Sequence, residues 1–189
     1  MNCKILNERI YMKKVLVFLV DGFEEIEALG TIDILRRGKV NVTTVSVTGK
    51  KEVMGSHGVP VIADVLFEQA DFDVDMLVLP GGTTALNDHA GVKEQVALFH
   101  KAGRHIAAIC AAPMVFGGLG ILKGKRATAY SGFEQYLDGA VFTPEAVVVD
   151  GNIITGRGPG FTFDFALTLL EVLEGSHASE EVAKQLLLT

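Results

Sequence analysis

Little in this 189-residue chain points to export, nucleic acid, membrane or metal. It has two cysteines, Cys3 and Cys110, and one pair makes a poor disulfide framework for a secreted domain of this size. It has no block of Lys or Arg; 17 basic residues against 23 acidic ones give a formal net charge of −6, which argues against a nucleic-acid partner. It has no long apolar run. The stretch "VLVFLV" (15–20) follows Lys13-Lys14 and imitates a signal peptide, but it ends at Asp21-Gly22, too short for a signal h-region or a bilayer span. These absences predict a soluble cytoplasmic protein with no membrane partner. The histidines, His57, His89, His100, His105 and His177, show no His-Glu-x-x-His or Cys/His ligand spacing, so no metal is expected. There is no Gly-Lys-Ser/Thr phosphate loop, and no G-x-G-x-x-G follows the first strand. "GRGPG" (156–160) comes near, but it follows a late strand and its proline removes a donor. No cofactor is expected.

What is present is a core. The chain is 49% apolar, which suits one globular domain. Residues 1–11 read as an extension in which Cys3 has no role, and "MKKVLVFLV" from Met12 would be a natural start, leaving a single domain over 12–189. Short β-rich runs alternate with helical stretches. "VLVFLV" is a strand apolar on both faces. A helix over 21–38 opens on the capping residue Asp21, carries acids in its first turn and ends in Arg-Arg-Gly. A strand at 40–47, a hairpin at 52–64 around a Gly-Ser-His-Gly turn, a strand at 75–82 and a helix at 90–102 follow. A strand at 105–110, a weaker one at 125–130, a hairpin at 146–155 and helices over 161–174 and 179–188 complete the pattern. Such alternation predicts an α/β fold with a parallel sheet and helices on both faces. Its ligand crevice should lie beyond the carboxyl ends of the strands.

Three strand ends therefore matter: Asp21-Gly22-Phe23, Pro80-Gly81-Gly82 and Cys110. "AAICAAP" (107–113) wedges a cysteine between strand and helix with small residues two positions away on each side. That is the logic of a nucleophile elbow. Pro113 fits the first turn of the next helix, where its missing N–H costs nothing. A thiol at a helix N-terminus should have a lowered pKa; the other reading is a buried, inert cysteine. In helix 21–38, Glu24 and Glu25 read as solvated first-turn acids. Glu27 stands on the stripe of Phe23, Gly30 and Ile34, so its carboxyl should be desolvated and its pKa raised, unless it reaches water at an edge. Leu29, Ile32 and Leu35 form a second apolar stripe on that helix, which suggests self-association. The glycines of "LPGG" (79–82) allow backbone N–H groups to face an oxyanion, although Pro-Gly-Gly is also an ordinary turn.

Together "DGFEEIEA", "VLPGG", "AAICAAP" and "TGRGPGF" (in this order, within 13–188) resemble the ThiJ/PfpI superfamily, most closely its DJ-one/YajL clade. The resemblance implies a flavodoxin-like, Rossmann-like three-layer sandwich and a homodimer. It implies Cys110 as the nucleophile, with Glu27 as a protonated carboxyl hydrogen-bonded to it. Backbone N–H groups near Gly82 and Ala111 would bind the oxyanion, and Thr83 and Pro159 would line the pocket. Two departures matter. Ala111 stands where protease-like members have a histidine, which argues against a papain-type pair. Tyr130 stands where many relatives carry a histidine, and a phenol is a poor base at neutral pH but can donate a hydrogen bond. His57 could approach the site, or remain a solvated turn histidine. The implied activity is a cofactor-free glyoxalase or deglycase acting on a small-molecule carbonyl substrate, a 2-oxoaldehyde such as methylglyoxal. The alternative is a redox sensor or chaperone using the same cysteine. A glutamine amidotransferase is set aside, since no His-x-Glu follows residue 110.

Overall fold

The computed structural model describes residues 12–188; the extension over 1–11, with Cys3, lies outside the described residues. In chain order the elements are β1 (Lys14–Leu19), α1 (Glu25–Arg37), β2 (Asn41–Ser46), β3 (Glu52–Met54), β4 (Pro60–Ile62), β5 (Val65–Leu66), β6 (Met76–Leu79) and α2 (Ala90–Lys101). Then come β7 (His105–Ile109), α3 (Met114–Gly118), β8 (Arg126–Ala127), β9 (Val141–Phe142), β10 (Val147–Asp150), β11 (Ile153–Gly156), α4 (Thr162–Glu174) and α5 (Ser176–Gln185).

Seven strands form one sheet in the order β10-β11-β7-β6-β1-β2-β5. All its pairings are parallel except the β10–β11 hairpin. The alternation of β1 builds two cores. Val15, Val17 and Leu19 face Ala28, Ile34 and Leu35 of α1 and Phe165 and Leu169 of α4. Leu16 and Phe18 face the other way, onto Val92, Val96 and Phe99 of α2 and Val115 and Phe116 beside Cys110. Both faces of the strand are dry from Val15 onward, so a run with no polar residue after Lys14 is what the fold requires.

Chain order and strand order part between β1 and β6, and again at the last hairpin, where β10 lies outside β11. From β1 the chain moves outward to β2 and β5, then returns to the opposite side of β1 with β6 and continues to β7 and β11. The carboxyl ends of β1 and β6 therefore diverge, leaving a crevice where a ligand can approach backbone. The segments 20–24, 80–83 and 110–113 all meet there.

Four expectations need correction. Residues 125–130 contribute only the two-residue β8, which pairs with β9 in a ribbon apart from the main sheet. Asp21 does not cap α1; Glu24 does, accepting from Glu27 N–H at 2.8 Å, while Asp21 takes Met54 N–H at 2.9 Å and ties the β3–β4 hairpin to the crevice. The acids of the first turn are not solvated, since Glu24 and Glu25 are buried. Ile32 and Leu35 are not on an outer stripe. Both are buried in the protein's own core because α4 packs along α1, and only Ile26 and Leu29 remain exposed. Among the described residues no helix is long and apolar enough to cross a membrane.

Candidate active site

Cys110 directly follows β7 with φ of +66°, the left-handed region that a residue bearing a Cβ rarely adopts. The strain is held by flanking backbone bonds. Cys110 N–H donates to Gly156 O and Tyr130 N–H donates to Cys110 O, each at 2.9 Å. Ala108, Ala111 and Ala112 are all buried, so small side chains flank this turn. Residues 110–113 turn before α3, and Pro113 stands just outside it with a helical φ of −57°. α3 has only five residues, so its dipole is small and begins four positions past the sulfur. Two local donors serve instead: the backbone N–H groups of Gly82 and Ala111 lie close enough to Cys110 to pull its pKa down.

Glu27 comes to the sulfur from α1. It is fully buried, between Phe23 and Ile34, and its Oε2 accepts Gly81 N–H at 2.8 Å. Its Oε1 has no well-aligned hydrogen-bond partner, although Cys110 is close enough to act on the carboxyl's acidity; the carboxyl–thiol contact is thus looser than a directional bond. Gly81 makes the approach possible. A Cβ there would lie 2.6 Å from Cys110 Cβ and 2.8 Å from Glu27 Oε2, wedging the two groups apart. At Gly82, φ of +93° turns the loop so that its N–H reaches the sulfur.

Burial pushes the Glu27 carboxyl up to about 7, against the pull of the Gly81 N–H. Burial pushes the Cys110 thiol up to about 12, with the Glu27 charge adding to the rise and the Gly82 and Ala111 N–H groups opposing it. This corrects the expectation of a thiol simply lowered by a helix end. A carboxyl and a thiol in one dry site cannot both ionise cheaply, so the pair releases one proton near 7 and the other near 12. Two backbone N–H groups face the sulfur and one faces the carboxyl, yet burial outweighs them at the sulfur, so the first proton leaves Glu27 and Cys110 stays a thiol beside that charge.

Two residues away on α1, Glu25 meets opposite conditions. Although desolvation pushes it up, the His57 side chain, the His57 backbone N–H and Ser56 Oγ hold its carboxyl at about 2. The bonds run from His57 Nδ1 at 2.8 Å, His57 N at 2.6 Å and Ser56 Oγ at 3.0 Å. His57 is a largely exposed turn histidine, but the structure places it on Glu25 rather than free in solvent. Glu24, Glu25 and His57 hold ligand-type atoms within 4.8 Å of one another, a grouping that could hold a metal ion; Glu24 is occupied as the cap of α1 and Glu25 by the hairpin turn.

Residues 13–172 match the DJ-1/PfpI family. Protein DJ-1alpha of Drosophila melanogaster is 40% identical over 184 residues, covering 94% of this chain and 85% of that protein. The chain belongs to the DJ-1/PfpI family. Glutathione-independent glyoxalase DJR-1.2 of Caenorhabditis elegans is 30% identical over 93% of this chain and 97% of that protein. The chain spans 40% of the length of another relative, protein DJ-1 homolog B of Arabidopsis thaliana, at 38% identity over 90% of its own. Among solved structures, Drosophila melanogaster DJ-1beta superposes with a TM-score of 0.88 at 38% identity, and oxidized Toxoplasma gondii DJ-1 with 0.88 at 36%; each covers 93% of this chain and 98% of that one. The flavodoxin-like fold follows from these likenesses and from the sheet order.

Other pocket residues of this DJ-1/PfpI chain divide into two groups. Tyr130 and Pro159 line a cavity of about 400 Å³ together with Ser131, Arg157, Gly158 and Phe161. Thr83 is not on that cavity; it packs its side chain over Gly22 and accepts Ala85 N–H at 3.2 Å. Sequence reasoning missed three contributors. Gly81 was visible in "LPGG", but only coordinates show that its N–H serves the carboxyl while that of Gly82 serves the sulfur. Ser56 adjoins the histidine that was singled out, and Arg157 lay inside "GRGPG", weighed there only as a nucleotide loop.

Proposed function

We propose that this DJ-1/PfpI protein is a cofactor-free, glutathione-independent glyoxalase or deglycase acting on small 2-oxoaldehydes or their adducts. The observation that carries it is a fully buried carboxyl, poised near 7, beside a cysteine on an elbow with two N–H donors. A group with a pKa near the working pH both gives and takes a proton readily. The Glu27 carboxylate takes the Cys110 proton as the sulfur adds to the aldehyde carbon and passes it to the oxygen that becomes negative, giving a hemithioacetal. The Gly82 and Ala111 N–H groups, which lie at the sulfur, steady the charge on that oxygen. The Glu27 carboxylate then removes the hydrogen from the same carbon and delivers it to the adjacent carbonyl carbon, leaving a thioester of the hydroxy acid. Water cleaves the thioester and restores the thiol and the proton, so the net change is addition of one water. The C. elegans relative described as a glyoxalase supports this reading.

Steady-state turnover of methylglyoxal without glutathione tests it. Glu27→Gln should lower kcat by about 100-fold or more, the range of a general acid–base group, and Cys110→Ser should abolish turnover, with circular dichroism confirming both folds. Near-wild-type turnover by Glu27→Gln removes the mechanism. No turnover by the wild type favours the second reading, a redox-sensing stress protein in which a peroxide oxidises Cys110 stepwise to a sulfinate. The oxidized Toxoplasma relative favours keeping that reading in view. The protein acts in the cytoplasm as a symmetric dimer, with exposed Ile26 and Leu29 of α1 in the contact. Light scattering at micromolar concentration should give twice the chain mass; a monomer excludes the dimer.

A further inference from the structure

The arginines of this chain are not in equivalent surroundings. Arg36, Arg37 and Arg126 each meet a carboxylate, and Arg104 lies over the Phe99 ring while donating to two backbone carbonyls. Arg157 is half-buried yet meets no carboxylate among the described residues. Its Nη1 donates to Pro144 O at 3.0 Å, and its guanidinium carbon lies 5.9 Å from the centre of the Phe161 ring. Both residues line the 400 Å³ cavity, where no acidic residue joins them.

The cavity adjoins the elbow. Tyr130 on one wall is hydrogen-bonded through its N–H to Cys110 O, and the Gly156 O that receives Cys110 N–H immediately precedes Arg157. Its volume falls in the range of about 300–1,000 Å³ that holds ligands far larger than a three-carbon aldehyde. Two aromatic rings and an uncompensated cation in such a space select a flat or apolar stem ending in an oxyanion.

We propose that Arg157 is a specificity-determining residue and that the preferred substrate carries, beyond its reactive carbonyl, an acidic group bound by that guanidinium. The stem lies along Tyr130 and Phe161, and the acid is a carboxylate or a phosphate. The nature of the reacting carbonyl rests on the glyoxalase reading; the anion site does not.

Two measurements separate the proposals. The first is kcat/KM for 4-carboxyphenylglyoxal against phenylglyoxal, a pair alike in ring and aldehyde but unlike in charge. The wild type should favour the acid by about tenfold, the value of one modest charge-assisted hydrogen bond. In Arg157→Met the ratio should fall to about one, and Arg157→Lys should keep part of the preference. A ratio unchanged in Arg157→Met, or no preference in the wild type, overturns the inference. The second is binding of benzoate, phenyl phosphate and neutral benzamide, followed by the amide resonances of Tyr130 and Gly158. Anion-specific shifts that vanish in Arg157→Met uphold the site even if no 2-oxoaldehyde is turned over, in which case the glyoxalase reading alone fails. The tighter of benzoate and phenyl phosphate identifies the acid. Equal binding of all three, or no shifts at these amides, overturns the site.

Discussion

Glu25 and Glu27 stand two residues apart on one helix turn, both buried, and their carboxyls lie about five pH units apart, near 2 and near 7. Burial pushes both up. The difference is the supply of donors. Glu25 receives an imidazole, a backbone N–H and a hydroxyl from the β3–β4 turn, whereas Glu27 receives one backbone N–H and faces a sulfur that competes for the same charge. A desolvated carboxyl surrounded by donors becomes a fixed anion that ties a hairpin to a helix. The same group with one donor becomes a proton reservoir. Its cost is borne by the fold, since the unfolded chain would ionise it freely.

That cost makes the largest prediction. The folded carboxyl near 7 lies above the unfolded value of 4.5, so between those two values the native state holds a proton that the unfolded state has lost. Stability therefore falls as pH rises through this window and levels off above it, by about 3 kcal/mol at most. Glu27→Gln carries no such proton and should flatten this part of the curve. Urea unfolding of both proteins at pH 4.5 and pH 8 measures it. A variant that keeps the wild-type slope shows that Glu27 ionises in the native state as freely as in water.

The next prediction concerns which atom of the pair loses its proton first. With the first charge on Glu27, Cys110 should alkylate with a midpoint above that of a free thiol, about 8.5. In Glu27→Gln the midpoint should fall, because the carboxylate charge that opposes a neighbouring thiolate is gone. Iodoacetamide rates from pH 5 to 10, in a Cys3→Ser background, measure both. A wild-type midpoint near 7 would instead place the first charge on sulfur, and a midpoint unchanged in Glu27→Gln would show that the carboxyl does not act on the thiol.

How much of this contrast was legible beforehand depends on distance along the chain. The dry strand β1, the helix after it and the elbow around Cys110 follow from local pattern, because their causes lie within a few residues. The stripe of Phe23, Glu27 and Ile34 was likewise visible, and with it the raised carboxyl. The fate of Glu25 was not, because its three bonds come from residues 56 and 57 across a hairpin whose docking no local pattern encodes. Asp21 failed as a cap for the same reason: it is drawn away to Met54. The second stripe of α1 failed because α4, more than a hundred residues later, covers Ile32 and Leu35. β8 failed because residues 125–130 have strand-like composition but pair with the distant β9 and not with a strand of the main sheet.

The smallest effect tests the other half of the contrast. If the imidazole helps to hold Glu25 near 2, then His57→Ala should move that carboxyl part of the way back toward 4.5 and no further. The residue-57 backbone N–H and Ser56 Oγ remain in the variant, and both still favour the charged form. A carboxyl depressed in the folded state contributes stability above its unfolded pKa and loses it as pH falls toward the folded value. The acid limb of unfolding should therefore begin at higher pH in His57→Ala, while stability near neutral pH changes little for so exposed an ion pair. The alkaline side moves too. Glu25 raises the His57 pKa above its ordinary value, chiefly through their hydrogen bond, so the wild type should lose a small increment of stability as pH climbs through that raised value, and the variant should not. Carboxyl carbon shifts of Glu25 from pH 1.5 to 6 decide the matter. A midpoint still near 2 in His57→Ala would assign the whole depression to the backbone and the serine, and Glu25 and Glu27 would then differ in how many neutral donors reach them and not in the presence of an imidazole.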